Sequence, residues 1–510
     1  MHVRKKSSII HHKWLNTMSV PVVNIDQMRR WEKATWATGQ SDSAVIRRVG
    51  GKIAELALRL TRPGDAILIL AGKGHNGDDA RAAKEFLTGR RIFLLNANEP
   101  QAAQAEFQRR TGVAPVSLQE EIPAQADPKD GDRLEACPAL IVDGLFGIGL
   151  SRPLNNSWKK FIAAVNQSKI PILAVDVPSG LNADTGRPQG AAIEATVTLT
   201  VGAPKIGMLR QNAWPFVGRL EVAENVGLIN CPLRGELNWT LPGDFTGFPP
   251  PRGVAGHKGS FGHVTIIAGS FGFHGAAVLA ARAAQRAQPG LITLFTQEIT
   301  YRPVAEQLQA VMVNVWKPET RLPESTSAIL IGPGLAAPEI TGAMKTPTQK
   351  LWRDSKSPVI VDASALDWLL PHTLPKNRIR VVTPHPGEAA RMLGKTVPQV
   401  QAHRAQALRN ISRRFGNSWV VLKGHQTLVG RSTGEIFVNS SGNPHLAQGG
   451  SGDVLAGFIA GLLAQPVLQA DVGKTLRFAV WRHGHAADTL QAKRANWVVE
   501  DLVAELGKAG

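Results

Sequence analysis

The 510-residue chain has two cysteines, Cys137 and Cys231, and a single tyrosine. Two cysteines without CxxC spacing exclude a disulfide scaffold and a cysteine-based zinc site, and they suit a reducing cytoplasm, where we expect the protein to be located. No run reaches the roughly 18 apolar residues of a membrane span. The first twenty residues lack a long apolar core, so no signal peptide is predicted, and the true start is Met1 or Met18.

Acidic residues are also scarce, with 40 Asp and Glu against 58 Lys and Arg, which gives a formal charge of +18. Such a balance suits nucleic acid, a membrane surface or small anionic ligands. The basic residues are scattered, and neither an RNA-binding aromatic signature nor basic heptads occur. We therefore predict small anionic ligands, and neither nucleic acid nor a membrane as a partner.

Short apolar runs alternate with helical patterns along the whole chain, as in Ala66–Ala71 and Ala328–Ile331. Runs of this kind are typical of parallel strands that are buried on both faces. The length predicts at least two domains, and the Pro- and Gly-rich residues 228–253 are predicted to form the linker. We therefore predict an α/β protein with domains at 19–230 and 240–510.

The most informative stretch is the sequence GGSGD at 449–453, which an apolar helix follows at once. Glycines permit a tight turn whose free N–H groups lie at the positive end of that helix and can hold phosphate oxygens. Asp453 then lies beside the phosphate and can accept the proton of a hydroxyl group during phosphoryl transfer. The alternative is that Asp453 only caps a buried helix.

Three predicted strands of the first half end in polar residues: Asn76, Asp143, and Asp176 with Ser179. The carboxyl ends of parallel strands line the ligand crevice of such sheets. Oxygen ligands from neighbouring strand ends can hold an alkali cation, and a spare carboxylate can move a proton. The alternative is that each acid caps a helix.

The strings DGLFGIGL at 143–150, DVPSGLNADTG at 176–186 and GAPKIG at 202–207 resemble the NAD(P)HX epimerase domain. The resemblance implies a Rossmann-like three-layer domain that interconverts the R and S forms of hydrated NAD(P)H. It implies potassium at Asn76, Asp143 and Ser179, with Asp176 at the reacting centre. The implied substrate-binding residues, besides Asp176, are His75, Asn76, Gly77, Asp78, Asp79, Gly147, Ile148, Gly149, Leu150, Ser151, Arg152 and Pro153.

The first glycine loop departs from the epimerase pattern at His75, Asp78 and Ala80. Asp78 places a negative charge where a substrate diphosphate should approach, and two charges about 4 Å apart repel by roughly 1–4 kcal/mol. The acidic M-E-x-A-G segment of the family is replaced by residues 47–51. We therefore hypothesise that the epimerase activity is weakened.

In the second half, turns at 332–335, 383–388 and 423–427 precede GNPHLAQGGSGD at 442–453. In this order they resemble the NAD(P)HX dehydratase family, whose fold is ribokinase-like. The resemblance implies that the S hydrate loses water at the expense of ADP, which yields NAD(P)H, AMP and phosphate, with Mg²⁺ as cofactor. The implied nucleotide-binding residues are Lys423, Gly424, His425, Gln426, Thr427 and Gly452, and those for the hydrate are Ala276, Gly334, His385 and Asp453.

The chain is thus predicted to be a bifunctional repair enzyme for NADHX and NADPHX, and we expect a homo-oligomer. The alternative function is a ribokinase-like small-molecule kinase whose N-terminal domain binds a ligand without catalysis. Such a kinase would use ATP and accumulate a phosphorylated product. The preference between ADP and ATP remains open at this point.

Overall fold

The computed structural model describes residues 19–113, 137–317, 319–375 and 377–508. Two β-sheets organise these residues, one of six strands and one of eleven. The strands are β1 (Val20–Pro21), β2 (Ala66–Ala71), β3 (Arg91–Asn96), β4 (Leu140–Gly144), β5 (Ile172–Val175), β6 (Val197–Val201), β7 (Arg219–Ala223), β8 (Leu237–Trp239), β9 (His263–Ile267), β10 (Leu291–Thr296), β11 (Met312–Val315), β12 (Ala328–Ile331), β13 (Val359–Val361), β14 (Arg380–Val382), β15 (Trp419–Leu422), β16 (Leu428–Gly430) and β17 (Ile436–Val438).

Helices cover both sheets. They are α1 (Ile25–Trp36), α2 (Asp42–Leu60), α3 (His75–Ala82), α4 (Pro100–Thr111), α5 (Asn156–Gln167), α6 (Trp214–Val217), α7 (His274–Arg286), α8 (Glu298–Ala305), α9 (Thr341–Asp354), α10 (Pro386–Leu393), α11 (Val397–Ala402), α12 (Arg404–Arg414), α13 (Ser451–Leu463), α14 (Val472–Lys493) and α15 (Val499–Leu506). Within the described ranges, no helix combines the length and the apolar character that crossing a bilayer requires.

The six-stranded sheet has the order β3-β2-β4-β5-β6-β7, and all its strands are parallel. Successive side chains of a strand point to opposite faces. Ile67 and Ile69 therefore pack in the cluster that contains α2 and α3, whereas Leu68 and Leu70 pack in the cluster with α4 and α5. The three layers that result confirm the predicted Rossmann-like architecture.

The eleven-stranded sheet has the order β1-β8-β17-β16-β15-β14-β13-β12-β9-β10-β11. Its strands from β15 to β11 run parallel, and β16 forms antiparallel pairs with β15 and β17. Helices α7, α13, α14 and α15 pack on one face, and α9, α10 and α12 pack on the other. This second α/β unit confirms the predicted fold class.

The segment that we predicted to be a linker contributes β8 to the second sheet, which corrects that interpretation. Strand β8 pairs with β17 and with β1, so residues 20–21 of the first half also extend this sheet. One buried cluster combines Leu181 and Met208 of the first half with Ile331 and Leu422 of the second. The two halves thus share a packed interface, while the domain limits at 230 and 240 stay predictions.

The glycines of α13 determine how closely this helix approaches α7. A Cβ atom at Gly457 would lie 2.0 Å from the Ala280 carbonyl oxygen, and one at Gly461 would lie 2.6 Å from the Ala284 carbonyl oxygen. Both distances are shorter than van der Waals contact, so only glycine permits this packing. The contact fixes α13, and with it the GGSGD turn at its N-terminus.

Candidate active sites

A charged cluster forms where three strands of the second sheet end. Lys423 follows β15, and its Nζ lies 2.7 Å from Oδ1 of Asp362, which follows β13. The same Nζ lies 3.9 Å from Oε2 of Glu388, and the Thr383 hydroxyl donates to Asp362 at 2.6 Å. Burial lowers the pKa of Lys423, but Asp362 and Glu388 raise it more, so the pKa is raised and the amine stays cationic.

The GGSGD turn meets this cluster. Gly450 has a φ of +90°, which glycine adopts readily, and α13 begins at the next residue. A Cβ atom at Gly452 would lie 3.3 Å from Nζ of Lys423. Burial, followed by the charge of Asp362, raises the pKa of Asp453 to about 7, against an opposing effect of Lys423. Asp453 therefore exchanges a proton near neutral pH.

The residues 423–427 form a loop that is held in a sparsely populated conformation. Gly424 has a φ of +122° and Gln426 a φ of +53°, a region that non-glycine residues rarely occupy. Arg404 donates to the carbonyl groups of Leu422, Lys423 and His425, and the Thr427 hydroxyl donates to the Gly424 carbonyl. Burial lowers the pKa of Arg404 to about 10, so the guanidinium remains charged while it fixes the loop.

Besides Asp453, three residues are predicted to contact the hydrate, and they have different surroundings. Gly334, with a φ of +64°, lies so close to Ala276 that a Cβ atom on it would be 2.9 Å from Ala276 Cβ. His385 instead begins α10, where its Nδ1 accepts from the Gly387 amide at 3.0 Å. Its side chain is half exposed, and its ring lies near Glu388.

The first half contains a cavity of about 1040 Å³ at the carboxyl ends of its strands. Most of the residues predicted to bind the epimerase substrate line it: His75, Asn76, Asp79, Gly147, Ile148, Gly149, Leu150, Ser151, Arg152 and Asp176. Gly77, Asp78 and Pro153 do not. A Cβ atom at Gly77 would lie 2.1 Å from the Gly72 carbonyl oxygen, so this glycine permits a tight turn. Asp78 pairs with Arg81 at 2.8 Å.

The residues predicted to bind potassium are joined through the backbone of residues 145–146. Ser179 donates to Asp143 at 2.6 Å and accepts from the Phe146 amide at 2.8 Å, while Asn76 donates to the Phe146 carbonyl at 3.0 Å. Burial raises the pKa of Asp143 to about 6, although hydrogen bonds from Ser179 and Leu145 oppose this rise. A buried carboxylate beside hydroxyl and carbonyl oxygens has the oxygen chemistry that suits a hard cation.

Asp176 is held in the left-handed region, with a φ of +62°, and forms a buried ion pair with Lys205. Lys205 is completely buried and also donates to the Thr200 hydroxyl at 3.0 Å and the Val201 carbonyl at 3.1 Å. Burial, followed by the charge of Asp176, raises the pKa of Asp79 to about 8. The cavity therefore holds one carboxylate paired with lysine and a second that stays protonated at neutral pH.

Comparisons with known proteins agree on both halves. Residues 264–508 match the family model for NAD(P)H-hydrate dehydratase, and residues 42–207 match that for the YjeF-related protein N-terminus. The bifunctional NAD(P)H-hydrate repair enzyme of Coxiella burnetii is 33% identical over 482 residues, which cover 91% of this chain and 93% of the relative. The chain belongs to the bifunctional NAD(P)H-hydrate repair enzyme family.

The Escherichia coli member of this family is 32% identical over 492 residues, covering 94% of this chain and 92% of the relative. A crystal structure of the ADP/ATP-dependent NAD(P)H-hydrate dehydratase of Bacillus subtilis, co-crystallised with ATP and Mg²⁺, is 32% identical with a TM-score of 0.45. It covers 50% of this chain and 91% of the relative. Membership confirms the predicted enzyme, which repairs hydrated NAD(P)H with an epimerase half and a dehydratase half.

Sequence reasoning missed several residues of both sites in this family member. Glu32 lines the same cavity as Asp176, and Lys205 pairs with Asp176. Arg404 and His483 hydrogen-bond to the dehydratase turns. His483 donates from Nε2 to the Ser451 carbonyl at 3.1 Å. Lys205 lies within the GAPKIG string, so a signal existed, but nothing local in the sequence indicates which acid it meets.

Proposed function

We propose that Asp453 is the general base of the dehydratase half. The observation that carries this proposal is its position at the N-terminus of α13 beside Lys423, with a pKa of about 7. Asp453 accepts the proton of the ring hydroxyl as that oxygen attacks the terminal phosphoryl group of the nucleotide. The ester group then leaves as phosphate while the lone pair of the ring nitrogen forms a C=N bond, and loss of a proton from the adjacent ring carbon to water returns that electron pair to nitrogen and restores NAD(P)H.

The nucleotide is bound by Lys423, Gly424, His425, Gln426, Thr427 and Gly452. Backbone N–H groups at the start of α13 and the cationic Lys423 stabilise the charge on the transferring phosphoryl group. When bound, Mg²⁺ neutralises phosphate charge. No group of three or more His, Cys, Asp or Glu side chains in the described part of the chain could hold a metal ion by itself. Mg²⁺ would then be held mainly by phosphates, water and the Asp362 carboxylate of the cluster.

The hydrated nicotinamide lies between the pair Ala276 and Gly334 and the start of α10 at His385. Any side chain at position 334 would clash with its neighbours, so the glycine keeps the space beside Ala276 open. ADP as the phosphoryl donor gives AMP, phosphate and NAD(P)H as products. A homologue of the chain is a bifunctional enzyme. Joining two activities in one chain is useful here, because the epimerase converts the R hydrate into the S hydrate that the dehydratase consumes.

For the epimerase half, we propose that Asp176 acts at the reacting centre and that Asn76, Asp143 and Ser179 bind potassium. Potassium, when bound, would supply positive charge to orient the substrate and balance the buried Asp143. Asp78 was one of the reasons to expect a weakened activity. Its charge pairs with Arg81 outside the cavity lining, so repulsion of the substrate diphosphate is smaller than the sequence alone suggested.

The test is to incubate a mixture of R and S hydrates of NADH with the protein and with ADP or ATP, and to follow the recovery of NADH absorbance. Complete recovery means that both halves turn over, whereas recovery that stops at the S portion means that the epimerase half is inactive. Accumulation of a phosphorylated product with ATP and no NADH recovery would instead favour the small-molecule kinase. The same assay without potassium measures how much the ion contributes to NADH recovery from the R hydrate.

A further inference from the structure

Residues of the epimerase half reach the nucleotide loop of the dehydratase half. The ring of Trp214, the first residue of α6, lies 4.9 Å from the ring of His425, centroid to centroid, at an interplanar angle of 67°. This is the edge-to-face geometry that aromatic pairs prefer. His425 belongs to the loop 423–427, so the two halves meet at the loop that we propose to bind the nucleotide.

The loop borders a cavity at Gln426, so it is not close-packed on that side. A cavity of about 530 Å³ separates the two halves there, and its lining includes Ile206 and Leu209 from the first half and Arg404 and Gln426 from the second. Gln426 adopts a φ of +53°, which persists only where the surroundings impose it. Arg404 fixes the loop carbonyls from one side, and Trp214 contacts the His425 ring from the other half.

We propose that Trp214 of the epimerase half is a positioning residue for the adenine nucleotide of the dehydratase half, acting through His425. This inference rests on the proposed role of residues 423–427 in nucleotide binding. Trp214 orients the His425 ring and thereby keeps the loop in its nucleotide-binding conformation. The epimerase half thus completes the nucleotide site of its neighbour, in addition to its own reaction.

The contact depends on the ring and not on a hydrogen bond. The buried Nε1 of Trp214 has no hydrogen-bond partner among the residues that the structure describes. Phenylalanine therefore preserves the interaction with His425, whereas alanine removes it. An aromatic pair of this kind contributes enough to change an affinity by about 3–10-fold.

The experiment measures KM for ADP and for ATP, together with kcat, in dehydration of the S hydrate by the full chain. We expect Trp214→Ala to raise the nucleotide KM about 3–10-fold and to leave kcat within about twofold. Trp214→Phe should restore the KM. His425→Ala should raise the nucleotide KM at least as much as Trp214→Ala, and the double variant should be no worse than His425→Ala, because Trp214 acts only through His425.

Three controls separate the causes. Phe216→Ala removes a ring of similar size from the same short helix and should not change the nucleotide KM. Epimerase turnover and the thermal midpoint report whether the first half of each variant is folded, and His425→Ala tests the contact from the other side if Trp214→Ala fails to fold. Lys423→Ala tests the proposed nucleotide site itself.

An unchanged KM in Trp214→Ala, or a double variant whose loss is the product of the two single losses, would overturn the inference. If Lys423→Ala raises the nucleotide KM while Trp214→Ala does not, only the role of Trp214 fails. If Lys423→Ala also has no effect, the loop is not the nucleotide site and both proposals fail.

Discussion

Replacing Asp453 with asparagine should remove most dehydration while it stabilises the fold. The substitution keeps the size of the side chain and removes its charge and its basicity. A positioned general base contributes about 10²–10⁴-fold to the rate, so we expect a loss of that size in kcat. Nucleotide affinity should not fall, because the substitution removes a negative charge from a site that binds a polyanion.

The gain in stability follows from the pKa of Asp453. Burial raises it from the ordinary value of 3.8 to about 7. At about 1.4 kcal/mol per pH unit this corresponds to about 4 kcal/mol, and partial solvent access reduces the expected effect to about 2–4 kcal/mol. Asparagine carries no charge and avoids this cost of burying a carboxylate.

The destabilising effect of the Asp453 carboxyl group depends on pH. Below pH 3.8 the carboxyl group is protonated in both the folded and the unfolded chain and costs nothing. As the pH rises from 3.8 to about 7, only the unfolded chain loses the proton, so the free energy of unfolding falls. The full cost is present above pH 7, where the difference between the variant and the wild type is greatest.

The assay combines NADH recovery from the S hydrate with thermal unfolding at pH 5 and pH 8. Asp471→Asn is the matched control, because Asp471 begins α14 and asparagine caps a helix N-terminus equally well. It should leave both turnover and stability unchanged. Wild-type turnover in Asp453→Asn would refute the role as base, and a lower thermal midpoint at pH 8 would refute the reasoning from burial.

Three further predictions concern packing and the epimerase half. Gly457→Ala places a methyl group 2.0 Å from the Ala280 carbonyl oxygen and should cost about 1–3 kcal/mol, seen as a lower thermal midpoint. Gly275→Ala in α7 meets no atom within 4 Å and is its control. Lys205→Met leaves the buried Asp176 without its cation and should lower the free energy of unfolding by about 3–5 kcal/mol. It should also stop recovery of the R hydrate, and unchanged R recovery would contradict this prediction. Asp143→Asn should abolish any stimulation of that recovery by KCl, while recovery of the S hydrate continues.

Local patterns were sufficient for much of the fold. The run Ala66–Ala71 forms β2 with the predicted limits, and the turn at 449–453 leads directly into α13. These predictions succeed because a buried parallel strand and a glycine turn before an apolar helix depend on residues adjacent in the chain. Strand β8 was missed because its three residues lie among turn-forming residues, and its pairing partners lie far away in the chain.

The amino-acid order thus predicts acids and glycines for both sites, since motif spacing is local information, and their roles stay predictions. It could not show that Lys205 neutralises Asp176, or that Trp214 meets His425 across 211 residues. Such pairings depend on where separate strands end and how the two halves pack. Charge compensation and support between the halves therefore come from the folded chain, because they arise between residues that only folding brings together.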